Sequence, residues 1–375
     1  MLTRRELLGL ALLGPWLGGC GGGDNPGPKS ATQGGIELPV ATTIADDDWP
    51  LSTPASQGIP ASAMQTLLDE GAAHTFLYGV LVVRNGQLIG ERYYNGGKSS
   101  DLRSVASVSK SVSSMLIGQT LAAGKIASTA DTLGKLLPNE LATTPNAYAA
   151  GITLQQLLDM CGGQQWDEAT RQLDATGAPD MTAFALGLPS DGKGAGKVWN
   201  YTTASSHLLS PILRNANGVD ALALATSKLF QPLGIGRAAW SRDASGMVHG
   251  SFGLQLRTRD LMKLAWMALQ GGQWKGSTVV PAAWLTDSFT PHVKGLGDSG
   301  ALKKIGYSNL WWSGTIEGLG VNLAWGYGGQ FALLVPQLNM AIATASELNL
   351  PYNTADVNET AILNLIGRFL RAAQA

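Results

Sequence analysis

The sequence predicts a mixed α/β fold of the α+β type, in which an antiparallel sheet flanked by helices carries a mainly helical inserted domain. Strand-like patterns occur near both ends of the 375-residue chain, in residues 46–125 and 240–375. The middle, residues 126–239, shows short helical patterns and loops with few strand signals. We therefore expect the two outer segments to build one sheet-containing domain around the helical insertion.

The strands of this domain are predicted from turn signals and apolar runs. Asn85-Gly86 separates two strand-like runs within residues 78–93 and favours a two-residue hairpin turn. A second hairpin is predicted from Asn322–Trp325 and Phe331–Pro336, and a further strand from Met340–Ser346. These segments come from both ends of the chain, which is why one shared sheet is expected.

Three helices of the same domain are predicted. One runs from Ser107 to about Ala123, a second enters near Thr258 within the amphipathic stretch 253–271, and a third covers Val357–Leu370. The first of these helices begins inside a serine-rich segment, which makes its N-terminus the most informative part of the chain.

The composition is that of a globular protein with no electrostatic preference for nucleic acid. Hydrophobic residues make up 45% of the chain and charged residues 14%, a balance that supports a buried core. The 26 basic and 27 acidic residues give a formal net charge of -1. This charge provides no field that would attract a phosphate backbone, so nucleic acid is not expected as a partner.

The first 20 residues resemble a bacterial export signal with a lipobox. Arg4-Arg5 precedes an apolar run, as in a twin-arginine signal, and the run ends in Leu17-Gly18-Gly19-Cys20. Residues 21–45 are rich in glycine and proline, so we expect a flexible tether. These features predict an exported, periplasm-facing protein held on a bacterial membrane by a lipid on Cys20. The alternative is an ordinary signal peptide with an incidental cysteine.

Metal and redox chemistry have little support in the sequence. Cys161 is the one cysteine besides Cys20, and its apolar neighbours predict a buried small side chain. The 4 histidines are scattered, without the close spacing of a metal site. We therefore expect no metal and no cofactor.

The strongest chemical signal is the pair Ser107 and Lys110. A lysine three residues after a serine lies one helical turn away on the same face, where its amine can take the serine proton. Ser107 at the helix start also places its backbone amide and the positive end of the helix dipole at a developing oxyanion. The spacing alone is weak evidence: Ser190 and Lys193 share it, in a glycine-rich loop, and are interpreted as a chance match.

Three further segments of the chain resemble the serine hydrolase superfamily of class C β-lactamases, penicillin-binding D-alanyl-D-alanine carboxypeptidases, esterases and amidases. Asn200-Tyr201-Thr202-Thr203 is similar to its Tyr-x-Asn or Tyr-x-Ser element, with Thr203 in the third position. Residues 253–274 resemble its "GL, then RDL, then GG-W" stretch, and residues 162–168 the segment with "SGL-W-E". The resemblance covers about residues 50–370 and implies a β-lactamase/transpeptidase-like fold.

The third element of that superfamily, Lys-Thr-Gly, is missing. Ala324-Trp325-Gly326-Tyr327 stands in its place and resembles the glycine-rich version of esterases and of amidases such as 6-aminohexanoate-dimer hydrolase. The resemblance then implies that the backbone amides of Ser107 and Tyr327 form the oxyanion hole; a slip of one residue would name Gly328 instead. The alternative is a plain glycine-rich hairpin turn between two strands.

These positions predict a serine hydrolase that cleaves an ester or amide bond of a small molecule. Lys110 and Tyr201 would act as a general-base pair for Ser107, which becomes acylated. The loss of the Lys-Thr-Gly lysine predicts poor activity on β-lactams. The following residues are expected to line the substrate pocket: Trp166, Thr203, His249, Trp325, Gly326 and Gly328.

Three alternatives remain open: a catalytically weak penicillin-binding-like sensor, a true β-lactamase and a D-amino-acid peptidase. The sensor would bind ligands without turnover, whereas the two enzymes would differ from an esterase in the substrates they hydrolyse. The sequence leaves the oligomeric state and the natural substrate open.

Overall fold

The computed structural model describes residues 49–374. The predicted export signal, the tether and the lipid-bearing Cys20 lie outside the described residues. Among residues 49–374, no helix combines the length and the apolar character needed to cross a membrane.

The centre of the fold is a seven-stranded sheet in which every neighbouring pair of strands is antiparallel. The strands in chain order are β1 (Leu77–Arg84), β2 (Gln87–Tyr93), β3 (Arg103–Ser104), β4 (Ala239–Trp240), β5 (Leu254–Leu256), β6 (Gln273–Trp274), β7 (Ser277–Thr278), β8 (Lys303–Ser308), β9 (Trp311–Ile316), β10 (Leu319–Gly326), β11 (Gln330–Val335) and β12 (Met340–Ser346). The large sheet has the order β2-β1-β12-β11-β10-β9-β8, and β3-β5-β4 forms a small second sheet.

The pairing of β1 with β12 joins the two ends of the chain in one sheet. The first hairpin turns at Asn85 and Gly86, whose φ angles of 50° and 75° are both positive, as a tight two-residue hairpin turn requires. The predictions of this hairpin, of the β10–β11 hairpin and of a sheet built from both ends are confirmed. The predicted α+β fold class is confirmed with them.

Helices pack around the sheet and fill the middle of the chain. They are α1 (Ala61–Gly71), α2 (Val108–Ala122), α3 (Leu133–Leu136), α4 (Pro138–Thr143), α5 (Ala147–Gly151), α6 (Leu154–Leu158), α7 (Glu168–Thr176), α8 (Met181–Leu186), α9 (Thr203–His207), α10 (Leu209–Asn217), α11 (Ala221–Ala225), α12 (Thr258–Leu269), α13 (Ala282–Ser288) and α14 (Tyr352–Ala373). Short 3₁₀ turns cover Ala55–Gln57 and Pro336–Leu338, and a π-helical turn covers Thr226–Phe230.

Three helices position the site against the sheet. Helix α12 packs on β1, β11 and β12, and α2 packs on β10 and β11. Helix α14 packs on α1, which in turn contacts β1 and β2. Most of α2 is buried, including the polar residues Ser109, Lys110 and Ser113. A buried lysine and several buried serines on one helix point to chemistry, because charged side chains are rarely buried without a partner.

Candidate active site

Ser107 lies where a tight turn enters helix α2. The preceding residue, Ala106, has a φ of 48°, in the left-handed region that residues other than glycine rarely adopt. Backbone strain of this kind costs on the order of 1–3 kcal/mol and is often found at functional sites. The turn presents Ser107 at the wall of a surface cleft.

Lys110 lies one helical turn after Ser107, and the two side chains meet. The side chain of Lys110 is 1% exposed. Its Nζ lies 3.1 Å from Ser107 Oγ, 3.1 Å from Thr203 Oγ1 and 3.0 Å from the Ser251 carbonyl oxygen. The three contacts fix the amine beside the serine hydroxyl.

Because Lys110 is buried, its ammonium group loses a proton more easily than that of an ordinary lysine. Loss of hydration lowers the pKa of Lys110 to about 8, and the nearby Glu168 carboxylate opposes part of this effect. An amine with that pKa is partly neutral slightly above pH 7, and only the neutral amine can accept a proton from Ser107.

Tyr201 lines the same cleft as Ser107 and is held by aromatic neighbours. Its ring stacks on Trp312 with centroids 5.8 Å apart and lies 6.3 Å from the ring of Trp199. Lys110 Nζ is 5.0 Å from the centre of the Tyr201 ring. The fold therefore brings together Ser107, Lys110 and Tyr201, the three residues predicted to act in catalysis.

Thr203 was expected in the pocket lining but lies behind Lys110, at the start of helix α9. Its hydroxyl donates to Glu168 Oε1 at 2.5 Å, and its backbone amide donates to Glu168 Oε2 at 3.0 Å. The indole N–H of Trp166 donates to the same Oε2 at 2.6 Å. Thr203 therefore connects the Lys110 amine to a carboxylate.

The end of strand β10 lies directly against the turn that carries Ser107. A Cβ atom on Gly326 would lie 2.4 Å from the Val105 carbonyl oxygen and 3.2 Å from Ala106 Cβ, so only glycine fits this approach without displacement. Tyr327 follows at once, and its side chain lines the cleft.

The backbone amide of Gly328 is engaged elsewhere, because it donates to Glu359 Oε1 at 2.9 Å. The other oxygen of Glu359 accepts the indole N–H of Trp325 at 2.8 Å. Glu359 thus holds the turn that follows β10 from behind. Of the two amides that the sequence leaves open for the oxyanion hole, this arrangement favours Tyr327.

The cleft is largely aromatic, with an open volume of about 920 Å³. Its lining residues are Ser107, Trp166, Asp167, Glu168, Ala169, Gln172, Trp199, Asn200, Tyr201, Trp312, Trp325, Tyr327 and Tyr352. No Lys, Arg or His belongs to this lining within residues 49–374. Trp166 and Trp325, two of the residues expected in the substrate pocket, line this cleft, whereas Gly326 and Gly328, on either side of Tyr327, do not belong to its lining.

His249 does not lie in the cleft, which corrects its predicted place in the substrate pocket. It is 3% exposed, and its ring stacks on Phe252 at 4.2 Å and lies 5.8 Å from the ring of His207. Burial lowers the pKa of His249 to about 4, so the ring is neutral near pH 7. Packing against Phe252 and His207 therefore holds this histidine away from the cleft.

Two other sequence features have no place in the site. The second serine–lysine match, Ser190 and Lys193, lies in a loop, and its Lys193 is exposed. Cys161 is half-buried rather than fully buried, and burial raises the pKa of its thiol to about 11, which disfavours the reactive thiolate. Within residues 49–374 no group of three or more His, Cys, Asp or Glu side chains is arranged to hold a metal ion.

The sequence did not identify Glu168, Gln172 and Tyr352 as residues that line the cleft. Tyr352 enters from the start of α14, far away in sequence, and no local pattern marks it. Glu168 lies in a segment that resembles the superfamily, but its contact with Thr203 depends on the packing of α7 against α9. An acidic residue two positions after a tryptophan was the only available signal.

Known proteins share sequence similarity with this chain. A family profile described as Beta-lactamase matches residues 61–365. The 6-aminohexanoate-dimer hydrolase of Paenarthrobacter ureafaciens is 25% identical over 338 residues, which cover 82% of this chain and 82% of that protein.

Solved structures show the same fold. A Bacillus anthracis protein assigned to the 6-aminohexanoate-dimer hydrolases has a TM-score of 0.71 at 20% identity, over 90% of this chain and 91% of its own. A family VIII carboxylesterase has a TM-score of 0.60 at 14% identity, over 84% of this chain and 98% of its own. The predicted superfamily resemblance is confirmed.

Proposed function

The chain belongs to the beta-lactamase family of hydrolases, and we propose that it is a serine hydrolase. The proposed reaction cleaves an ester or amide bond of a small molecule through an acyl-enzyme on Ser107. The observation that carries the proposal is the buried Lys110 amine, 3.1 Å from Ser107 Oγ. Few structural roles account for a fully buried lysine that contacts a serine at the wall of a cleft.

In the first step, Ser107 Oγ attacks the substrate carbonyl carbon and loses its proton to Lys110 or Tyr201. The low pKa of Lys110 supplies the neutral amine that this transfer needs. The carbonyl oxygen becomes an oxyanion, and the backbone amides of Ser107 and Tyr327 are the proposed donors to it. Preorganised donors of this kind are each worth about 100- to 1,000-fold in rate.

In the second step, the tetrahedral intermediate collapses and the bond to the leaving group breaks. The proton held by Lys110 and Tyr201 goes to the leaving alcohol or amine, and Ser107 remains as an ester of the acyl group. Water then attacks this ester, with the same pair taking its proton, and the acid product leaves. In this proposal Tyr201, which lines the cleft, passes protons between Lys110 and groups in the cleft.

The cleft favours substrates with an uncharged acyl group. Ala324, which stands in place of the Lys-Thr-Gly lysine, is buried and apolar. Arg257 is paired with Asp260 at 2.7 Å inside the protein, so it brings no cation to the cleft. A substrate carboxylate would therefore lie among aromatic rings and beside Glu168 without a cationic partner from the described lining, which is costly. We propose a preference for neutral esters or amides over β-lactams.

A turnover assay tests the proposal. The protein should hydrolyse members of a panel of p-nitrophenyl esters and D-amino-acid amides, and Ser107→Ala should abolish that turnover. Ser190→Ala is the matched control, because Ser190 has the same spacing to a lysine without the helix, and it should retain full activity. Absence of turnover on every substrate, with a folded protein, would favour the penicillin-binding-like sensor instead.

We also propose that the protein is anchored to a bacterial membrane and faces the periplasm, on the basis of Arg4-Arg5 and the Leu17–Cys20 segment. Cys20→Ser should move the protein from the membrane fraction to the soluble fraction. Replacement of Arg4 and Arg5 by lysine should block export. Unchanged membrane association of the cysteine variant would contradict the lipid anchor.

A further inference from the structure

The Glu168 carboxylate reaches the catalytic lysine through one hydroxyl. Glu168 Oε1 accepts the Thr203 hydroxyl at 2.5 Å, and the oxygen of that hydroxyl lies 3.1 Å from Lys110 Nζ. Glu168 also lines the cleft beside Ser107. The chain Glu168–Thr203–Lys110 has no role in the mechanism proposed above.

The direction of each hydrogen bond in this chain follows from which groups can donate. The other partners of Glu168 are the Thr203 amide and the Trp166 indole, and both are N–H groups that only donate. An ionised carboxylate only accepts. The Thr203 hydroxyl proton must therefore point toward Glu168, which leaves a lone pair of Thr203 Oγ1 facing Lys110.

This direction determines where the lone pair of a neutral Lys110 points. A neutral amine has two N–H groups and one lone pair. Thr203 Oγ1 offers only a lone pair, and the Ser251 carbonyl oxygen is also an acceptor, so each takes one N–H. The third contact of the amine is Ser107 Oγ, at 3.1 Å, and the lone pair faces it. That is the orientation in which the amine accepts the serine proton.

We propose that Glu168 is a positioning residue that acts through Thr203: it sets the direction of the hydrogen bonds around Lys110 so that the amine lone pair faces Ser107. After proton transfer, the ammonium has three N–H groups for the same three acceptors, so no side chain has to rotate. The proposal rests on the proposed function, because it assigns a role to Lys110 as the base for Ser107.

Glu168→Gln should reverse the direction of the hydrogen bond to the Thr203 hydroxyl while it keeps the shape of the side chain. The amide oxygen of the new glutamine is needed by the Thr203 amide and the Trp166 indole, so its NH₂ group faces Thr203 Oγ1. The Thr203 hydroxyl then points its proton at Lys110 and competes with Ser107 for the lone pair. The loss of the carboxylate also removes the charge that raises the pKa of Lys110.

The test is the rate at which a fluorophosphonate modifies Ser107, measured by intact mass against pH on the full chain. In this reaction Ser107 Oγ bonds to phosphorus, fluoride leaves, and the serine proton goes to the base. For Glu168→Gln we expect a rate at high pH about 10- to 100-fold below that of the unaltered protein. We also expect the acidic limb of the profile to move to lower pH. Glu317→Gln, which alters a surface glutamate paired with Arg371, is the matched control and should change neither.

Thr203 variants provide a second test if Glu168→Gln does not fold. Thr203→Val removes the hydroxyl and keeps the shape, so its rate should fall to a similar extent, whereas Thr203→Ser should restore most of it. The double variant Thr203→Val with Glu168→Gln should react no more slowly than the slower of the two single variants, because both changes break the same series of hydrogen bonds.

The outcomes separate the two proposals. If the probe does not modify Ser107 in the unaltered protein, the proposed function fails. If it does, but Glu168→Gln has an unchanged rate and pH profile, or Thr203→Val reacts as fast as Thr203→Ser, the role of Glu168 is overturned and the proposed function stands.

Discussion

Replacing Gly326 by alanine should disable the site while leaving the fold intact. The new Cβ would lie 2.4 Å from the Val105 carbonyl oxygen and 2.9 Å from Gln330 Cβ. Such contacts do not persist below 3.0 Å, so strand β10 and the turn before Ser107 must separate by roughly 0.6 Å, the difference between 3.0 and 2.4. The Tyr327 amide moves with the strand.

That displacement is large compared with the tolerance of an oxyanion hole. Donors act at about 2.7–3.1 Å from the oxyanion, and loss of one donor costs about 100- to 1,000-fold in kcat. We expect Gly326→Ala to lower kcat/KM for a p-nitrophenyl ester by about 100-fold. Strain at the packed contact should cost about 1–3 kcal/mol of stability.

Gly320→Ala is the matched control on the same strand. Its Cβ would meet only the terminal amide of the Gln337 side chain, whose nearest atom lies 3.1 Å away and can shift, so the strand need not move. Circular dichroism and thermal melting would show that both variants are folded. If Gly326→Ala keeps kcat/KM within a few-fold of the control, the assignment of the Tyr327 amide to the oxyanion hole is wrong.

Four further outcomes are expected. Burial lowers the pKa of Lys110 to about 8, and only the neutral amine is a base. The kcat/KM for a neutral ester should therefore rise with pH and level off above about pH 8. A flat profile between pH 6 and 9 would contradict this expectation. Tyr201→Phe should remain folded and lose about 100- to 10,000-fold in kcat, as expected for removal of a proton-transfer group; retention of activity within a few-fold would mean that Lys110 acts without Tyr201. A short-chain p-nitrophenyl ester should have a higher kcat/KM than a chromogenic cephalosporin. A charge-assisted hydrogen bond to a substrate carboxylate is worth about 10- to 150-fold, and no Lys, Arg or His among residues 49–374 lines the cleft. The reverse order would show that a cation reaches the cleft. Finally, burial holds the pKa of His249 at about 4, below its unfolded value of about 6.5. The stability that depends on the neutral ring is therefore complete above pH 6.5 and falls as the pH drops toward 4. Thermal melts should show a loss of about 2 kcal/mol from this residue by pH 5, and an equally large loss in His249→Asn would refute the assignment.

The elements that the sequence predicted correctly are those with strong local signals. Asn85-Gly86 adopts the two positive φ angles of its turn, and helix α2 begins directly after Ser107, where the sequence predicts a helical run. The pairing of Ser107 with Lys110 is also local, since a helix places residues three apart on one face. The position of Tyr201 near Ser107 and Lys110 was predicted only through the superfamily resemblance.

The elements that were missed depend on tertiary packing. Strands β8 and β9 carry lysines, serines and glycines, and β8 is an edge strand whose first two residues are exposed lysines. Edge strands avoid the apolar alternation that identifies a strand, because it would invite pairing with another chain. His249 was misplaced because no local pattern in the sequence shows that its ring packs on Phe252.

The most direct test of the central claim, that Ser107 is a nucleophile activated by Lys110, is the mass of the protein after reaction with a fluorophosphonate. We predict one adduct per chain, located on the peptide that contains Ser107, absent in Ser107→Ala and formed far more slowly in Lys110→Met. An adduct that persists in Ser107→Ala, or that forms at the same rate without the Lys110 amine, would contradict the account.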